Sequence, residues 1–415
     1  MILRGLSVHA ADRYPSMNAL LKQLRRNPGK ERRLALYGLG ILALVALPLL
    51  GRWVGRTRED RLCQGAAHRL VGVWDASTRA SLAKAFAASD LPYGEHLAAH
   101  VGSTLDRYAA SWVALETGAC RATRILGTQS EDMLTLQRAC LSQGLAELEA
   151  LVRIFSRASA TVVEHAYPAT HALVDVSSCA DVERLATGIR PPGSEATARI
   201  VEEIRTRLTQ ARVMESTGQP TPALGLASEA VAAARKAGYP PVEAEALFQL
   251  GFLQARAGDS PAATMSLSRA RWLSDATGYL ELRARISNML VRTLAAEPSR
   301  ARDAPSLGQL NRALIERLGK RPALLSDWHT SMGYLLGKSG QPEKATQHLA
   351  DALALQEKAL EEDHPLLVDT LDALAAALGQ QGKPEKAARF RDRARAIREK
   401  IFGPDLGPGG SQTRK

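Results

Sequence analysis

Four glycines in the second half of the chain set the terms for any fold it can adopt. Gly218, Gly258, Gly340 and Gly382 stand 40, 82 and 42 residues apart, and each has a proline within three residues, as in Gly218-Gln-Pro220 and Gly340-Gln-Pro342. Five residues after each comes an alanine (Ala223, Ala263, Ala345, Ala387), and seven further on another (Ala230, Ala270, Ala352, Ala394). Eight and seven residues before the glycine stand Leu250-Gly251, Met332-Gly333 and Leu374-Ala375. Small residues at these places let two antiparallel helices approach closely, and the glycine makes the turn between them. A recurrence of about 40 residues, with a degenerate unit near residue 298, marks a solenoid in which each unit buries its apolar face against its neighbours.

A Leu-Gly pair in the first helix and two alanines in the second resemble the signature of the tetratricopeptide repeat family. The resemblance covers residues 196–402. The last two units, with Asp363-His364-Pro365 ahead of Leu371 and Leu374, resemble the longer variety found in kinesin light chains and many bacterial proteins. The likeness is weakest over residues 280–325, where Glu297-Pro298 replaces the turn glycine. The resemblance implies an all-α solenoid with a concave face of first helices that binds peptides or helices. Projecting those helices inward brings Arg212, Phe248, Phe252, Arg256, Tyr334 and Lys338 onto that face. Aromatic rings among cations suit acidic or C-terminal peptide segments. The plainer reading of Phe248 and Tyr334 is packing against the adjacent helix.

Residues 34–51, LALYGLGILALVALPLLG, carry no charged side chain. At about 1.5 Å of rise per residue the run nearly matches the ~30 Å hydrocarbon thickness of a bilayer. We expect a single transmembrane helix over residues 34–55, because a core helix would show a polar face and a cleaved signal peptide would begin nearer residue 1. Lys22, Arg25, Arg26, Lys30, Arg32 and Arg33 upstream outnumber Arg52, Arg56, Arg58 and Arg61 downstream. That excess predicts a membrane protein with its N-terminus cytoplasmic and its C-terminal domain on the outer, periplasmic or extracellular, side. Residues 1–33 hold eight Lys/Arg against two acids, which accounts for +6 of the chain's net charge of +11. The basic balance therefore reads as a membrane-topology signal, and no nucleic-acid partner is expected.

Ahead of the apolar run, Ser16 is a candidate N-cap, and Met17, Leu20, Leu21 and Leu24 form one helical stripe. With Asp12, Arg13, Tyr14 and Pro15 before it, this segment (residues 1–27) resembles the closing helices of the protein kinase fold. The resemblance implies for Arg13 the structural role of pairing with the glutamate of an A-P-E motif. It also implies a bacterial transmembrane serine/threonine kinase whose catalytic lobe either lies upstream of Met1 or has been lost. The chain contains no Gly-rich loop with a V-A-I-K lysine, no H-R-D, no D-F-G and no A-P-E. Without them phosphoryl transfer has no catalytic or metal-binding side chains, and the polypeptide is expected not to be an enzyme.

Residues 59–192 show helix-period stripes, Leu62-Ala66-Leu70-Trp74 on one helix and Leu134-Leu141-Leu145-Leu148 on another, and read as a helical extracytoplasmic domain. Its order of Trp and Cys landmarks resembles the outer-face region of bacterial membrane kinases with C-terminal repeats. All four cysteines, Cys63, Cys120, Cys140 and Cys179, fall here. An even count in a segment expected outside the cytoplasm points to two disulfides with three pairings open, Cys63 with Cys120 and Cys140 with Cys179 being the expected one. No Cys-x-x-Cys occurs, and His96 and His100, at i and i+4, have no third ligand in view, so neither a metal nor a cofactor is expected. The acids Glu361-Glu362-Asp363 read as a solvated loop, and the Gly/Pro-rich tail 403–415 as disordered.

Overall fold

The computed structural model describes residues 8–25, 44, 63–186, 189, 192–297, 299–319, 321–360 and 362–402. It divides into two units, residues 1–65 and 66–415. In the first unit a short 3-10 helix (Ala10–Asp12) precedes α1 (Met17–Arg25). The Ser16 hydroxyl accepts from the Ala19 amide at 3.2 Å and so caps α1. Arg13 is exposed between the two helices, and Met17 and Leu21 are exposed on α1.

The expectation of a transmembrane helix is corrected. Among the described residues no helix is long and apolar enough to cross a membrane. Residues 34–55, on which it was placed, lie outside the described residues apart from Leu44, and so does the tail 403–415. The longest described helix has the length but not the surface: α3 (Gly94–Arg124) carries Glu95, Asp106, Arg107, Glu116, Arg121 and Arg124 along its 31 residues.

The second unit begins with a helical layer. A 3-10 helix (Ala67–Leu70) leads to α2 (Ala76–Ala87), α3, α4 (Glu131–Phe155), the short α5 (Ala160–Glu164) and α6 (Ala166–His171), a second 3-10 helix (Val176–Ala180) and α7 (Val182–Ala186). The expected α-helical stripe through Ala66, Leu70 and Trp74 is instead turn and 3-10 helix. Gly72, at φ 79°, breaks the helical path, although all three side chains are buried. Asp75 restarts the chain as the N-cap of α2, accepting from the Ser77 and Thr78 amides at 2.9 and 3.0 Å. The Ser77 hydroxyl, with the Gly72 and Thr78 amides, holds its carboxyl well below the usual carboxylate range.

Trp112 of α3 is fully buried at the centre of this layer, its indole N–H donating to the Leu141 carbonyl of α4 at 2.8 Å. The Arg69 guanidinium lies 5.1 Å from its ring. Leu134, Leu141 and Leu148 of α4 are buried on one stripe, as their spacing predicts. Cys140 on α4 is bonded to Cys179 on the second 3-10 helix, 39 residues on, which fastens the chain leaving α6 back onto the layer. Cys63 and Cys120 are also disulfide-bonded, and no described cysteine is free.

Five antiparallel helix pairs follow among the described residues: α8 (Glu195–Ser216) with α9 (Pro220–Ala237), α10 (Pro240–Arg256) with α11 (Ser260–Thr277), α12 (Leu280–Ala296) with α13 (Ala304–Arg317), α14 (Pro322–Lys338) with α15 (Pro342–Ala359), and α16 (Leu366–Gln380) with α17 (Pro384–Phe402). Gly218, Gly258, Gly340 and Gly382 turn the chain inside pairs at φ between 68° and 84°. Gly251 and Gly333 are glycine for a different reason. A Cβ on either would sit 2.7 or 2.6 Å from the Cγ of Leu267 or Leu349 in the second helix of the same pair. The third pair lacks the turn glycine, and a 3-10 helix (Ala301–Asp303) bridges it instead. Buried amides tie that pair together and to the next: Asn311 Nδ2 donates to Ala284 O and Asn288 Oδ1 at 2.9 and 2.8 Å, and Asn288 Nδ2 donates to Leu324 O of α14 at 3.3 Å.

Both ends of the array rest on the helical layer. α4 and α6 pack on α8, and α3 packs on α17. The core around Trp112 accordingly continues through Leu353, Leu367, Leu371, Ile397 and Ile401.

Candidate partner-binding face

The first helices of the pairs carry charges in a fixed register. Arg205, Glu245 and Asp327 each stand thirteen residues before their turn glycine, and Arg285 holds the matching place in the third pair. The signs alternate along α8, α10, α12 and α14. Arg205 grips Glu245 with two bonds, Nε to Oε2 at 3.0 Å and Nη2 to Oε1 at 2.9 Å. Such a bidentate bridge fixes one pair against the next.

One helical turn further on, the face closes over a cavity of about 210 Å³. Arg212, Phe248 and Phe252 line it from the array, as projected from the sequence; Glu147, Ala169, Ala172 and Leu173 line it from the helical layer. Arg212 is not free for a ligand there. Its guanidinium is ion-paired to the Glu147 carboxylate, whose side chain is only 3% exposed and which also accepts from the Val174 amide at 2.8 Å. Arg256 pairs with Glu215 at 3.2 Å, and the Arg285 guanidinium lies 5.4 Å from the Phe248 ring. Gln249, buried beside Phe248, also lines the cavity.

Tyr334 and Lys338 are on α14 and do not line this cavity. The Tyr334 ring is 39% exposed, with the Lys338 ammonium 5.6 Å from its centre, so an aromatic face and a cation are presented side by side. The six projected residues thus form two places rather than one groove. Gln249 and Arg285 were missed, although the repeat register of Arg285 was a signal that could have found it.

A second cluster lies where α17 meets the layer. His96 and His100 approach with their Nε2 atoms 3.2 Å apart. Tyr167, His171 and His364 continue a chain of ring contacts, the last pair of centroids being 4.2 Å apart. Among the described residues no three metal-binding side chains converge. Asp363 is not a freely solvated acid: it pairs with Lys400, and the neighbouring Glu362 carbonyl accepts from Arg393 at 3.0 Å.

His171 Nε2 is buried without a hydrogen-bond partner. Burial first, and then the nearby His364 and Arg107, push its pKa down from 6.5 to about 3. Its neutral form therefore belongs to the folded state. In this window the unfolded chain binds the extra proton, so stability is retained above pH 6.5 and falls as pH drops towards 3. Wild type is expected to lose about 2 kcal/mol more than His171→Phe between pH 7.5 and about pH 5. Urea denaturation at the two pH values measures this; equal losses in the two proteins would exclude it.

The geometry is that of a repeat solenoid. The tetratricopeptide repeat profile matches residues 324–400. Residues 324–400 thus carry tetratricopeptide repeats within an all-helical array. A Podosopora anserina structure described as kinesin light chain nearly identical TPR-like repeats is 21% identical and covers 48% of this chain and 97% of its own, with a TM-score of 0.38. BtubC (BKLC) from P. vanneervenii is 22% identical over 53% of this chain and 95% of its own, at a TM-score of 0.40. The apo form of RapI is 14% identical over 72% and 77%, at 0.39. No curated protein matches the chain.

Proposed function

We propose that this chain is a non-catalytic interaction module that binds an acidic peptide segment of a protein partner through the first helices of its repeats. The observation that carries the reading is the exposed Tyr334 ring beside Lys338 on a first helix. The first helix of the first pair, α8, is already packed on the chain's own α4 and α6, so the open contact is placed on α14.

Peptides selected from a random library on the full chain are expected to be acidic. Tyr334→Ala combined with Lys338→Glu should weaken their binding by roughly tenfold or more with no change in melting temperature. Selected peptides indifferent to both substitutions would sink the proposal.

The disulfide-bonded cysteines support an oxidising compartment for residues 63–180. Thiol labelling of the protein taken directly from cells should find no free cysteine, and four labelled cysteines would place it in a reducing one. The kinase reading rests on the resemblance of residues 1–27 and on the order of Trp and Cys landmarks in residues 59–192, and H-R-D and D-F-G codons in frame upstream of Met1 are its test.

A further inference from the structure

The cavity between the array and the helical layer has a composition that the peptide reading does not use. Gln249 is 6% exposed, and its buried Nε2 meets no acceptor among the described residues. A buried amide donor left without an acceptor is costly, and native interiors hold few of them. Arg285 lines the same cavity and makes no ion pair within 4 Å among the described residues, the buried Asp327 of α14 attracting it only at longer range; its guanidinium lies against Phe248. The two carboxylates of the lining are already spent, Glu147 on Arg212 and Glu215 on Arg256. The remaining wall is apolar, with Phe252, Leu173 and Ala169. One cation, one unanswered N–H donor and an apolar body of about 210 Å³ together describe the complement of an acid with a short hydrocarbon part.

We propose that this cavity binds an apolar monocarboxylate, with Arg285 and the Gln249 amide holding the carboxylate and Phe252 and Leu173 covering the hydrocarbon. Arg285 pairs with the ligand's charge while stacked on Phe248, and Gln249 supplies the second hydrogen bond from inside the wall. The carboxylate has two sources, a free small acid or the C-terminus of a chain with an apolar last residue. The site does not include Tyr334 or Lys338, so it and the peptide contact can fail independently.

Calorimetric titration of the full chain with hexanoate and with N-acetylleucine tests the site, hexanamide being the uncharged control. Saturable binding of hexanoate alone assigns a free acid, and binding of N-acetylleucine alone assigns a chain end. Either acid is expected to bind about tenfold or more tightly than hexanamide, and Arg285→Gln should weaken it by a similar factor. Gln249→Leu keeps the volume, removes the donor and should weaken binding about threefold or more, which keeps the test open should Arg285→Gln not fold. No saturation by either acid up to about 10 mM, equal binding of hexanamide, or indifference to a folded variant overturns the proposal.

Discussion

Trp112→Ala is expected to lower the unfolding free energy by about 4 kcal/mol, the larger of the two main effects foreseen. The indole is fully buried, and its loss opens a cavity between α3 and α4 that Leu141, Leu148 and Leu105 cannot collapse to fill without moving both helices. Its hydrogen bond to the Leu141 carbonyl and the overlying Arg69 are lost with it. Trp112→Phe keeps most of the volume and should cost about 1–2 kcal/mol. The core around Trp112 runs on into α16 and α17, so far-UV circular dichroism and intrinsic fluorescence should shift together in urea. A loss in the layer alone, with the repeats melting at the wild-type midpoint, would show that the joint core does not couple the two.

Arg212→Ala should cost about 3 kcal/mol, although inward projection of α8 makes Arg212 a ligand-binding residue. Its partner Glu147 is almost entirely out of water, and removing the guanidinium strands that carboxylate in the wall between α4 and α8. The energy arises from the uncompensated charge more than from the lost bond. Glu147→Gln added to Arg212→Ala removes that charge while keeping an acceptor for the Val174 amide, and should recover about half of the loss. Urea midpoints of the single and double variants form the test. An Arg212→Ala protein as stable as wild type, but weaker in peptide binding, would restore Arg212 to the ligand.

The repeats were legible because their demands are steric. A helix crossing that admits no Cβ, as at Gly251 and Gly333, and a turn at positive φ leave few residue choices, so their period shows in one sequence. Three further glycine turns went unseen for the same kind of reason. Gly238, Gly278 and Gly319 also adopt positive φ, but they close the gap between pairs and share no fixed proline offset. The helix expected through Leu70 and Trp74 failed because burial follows from tertiary contact, and a glycine at position 72 can end a helix without disturbing the apolar spacing. The candidate face was legible as a face and not as a site. Which inward arginine is engaged depends on a glutamate 65 residues away, and no local period reports that.

The attachment of both α8 and α17 to one helical layer has a mechanical consequence. A superhelix of repeats with free ends lengthens like a spring, each pair contributing a small rotation. Here the first and last coils are tied across a common chord, so the pitch of the spring is set before any ligand arrives. A partner that fits a wider curvature has to detach α17 from α3, together with the nearby His171–His364 contact, or α8 from α4, where Arg212 pairs with Glu147. The curvature offered to a partner is thereby fixed by the layer.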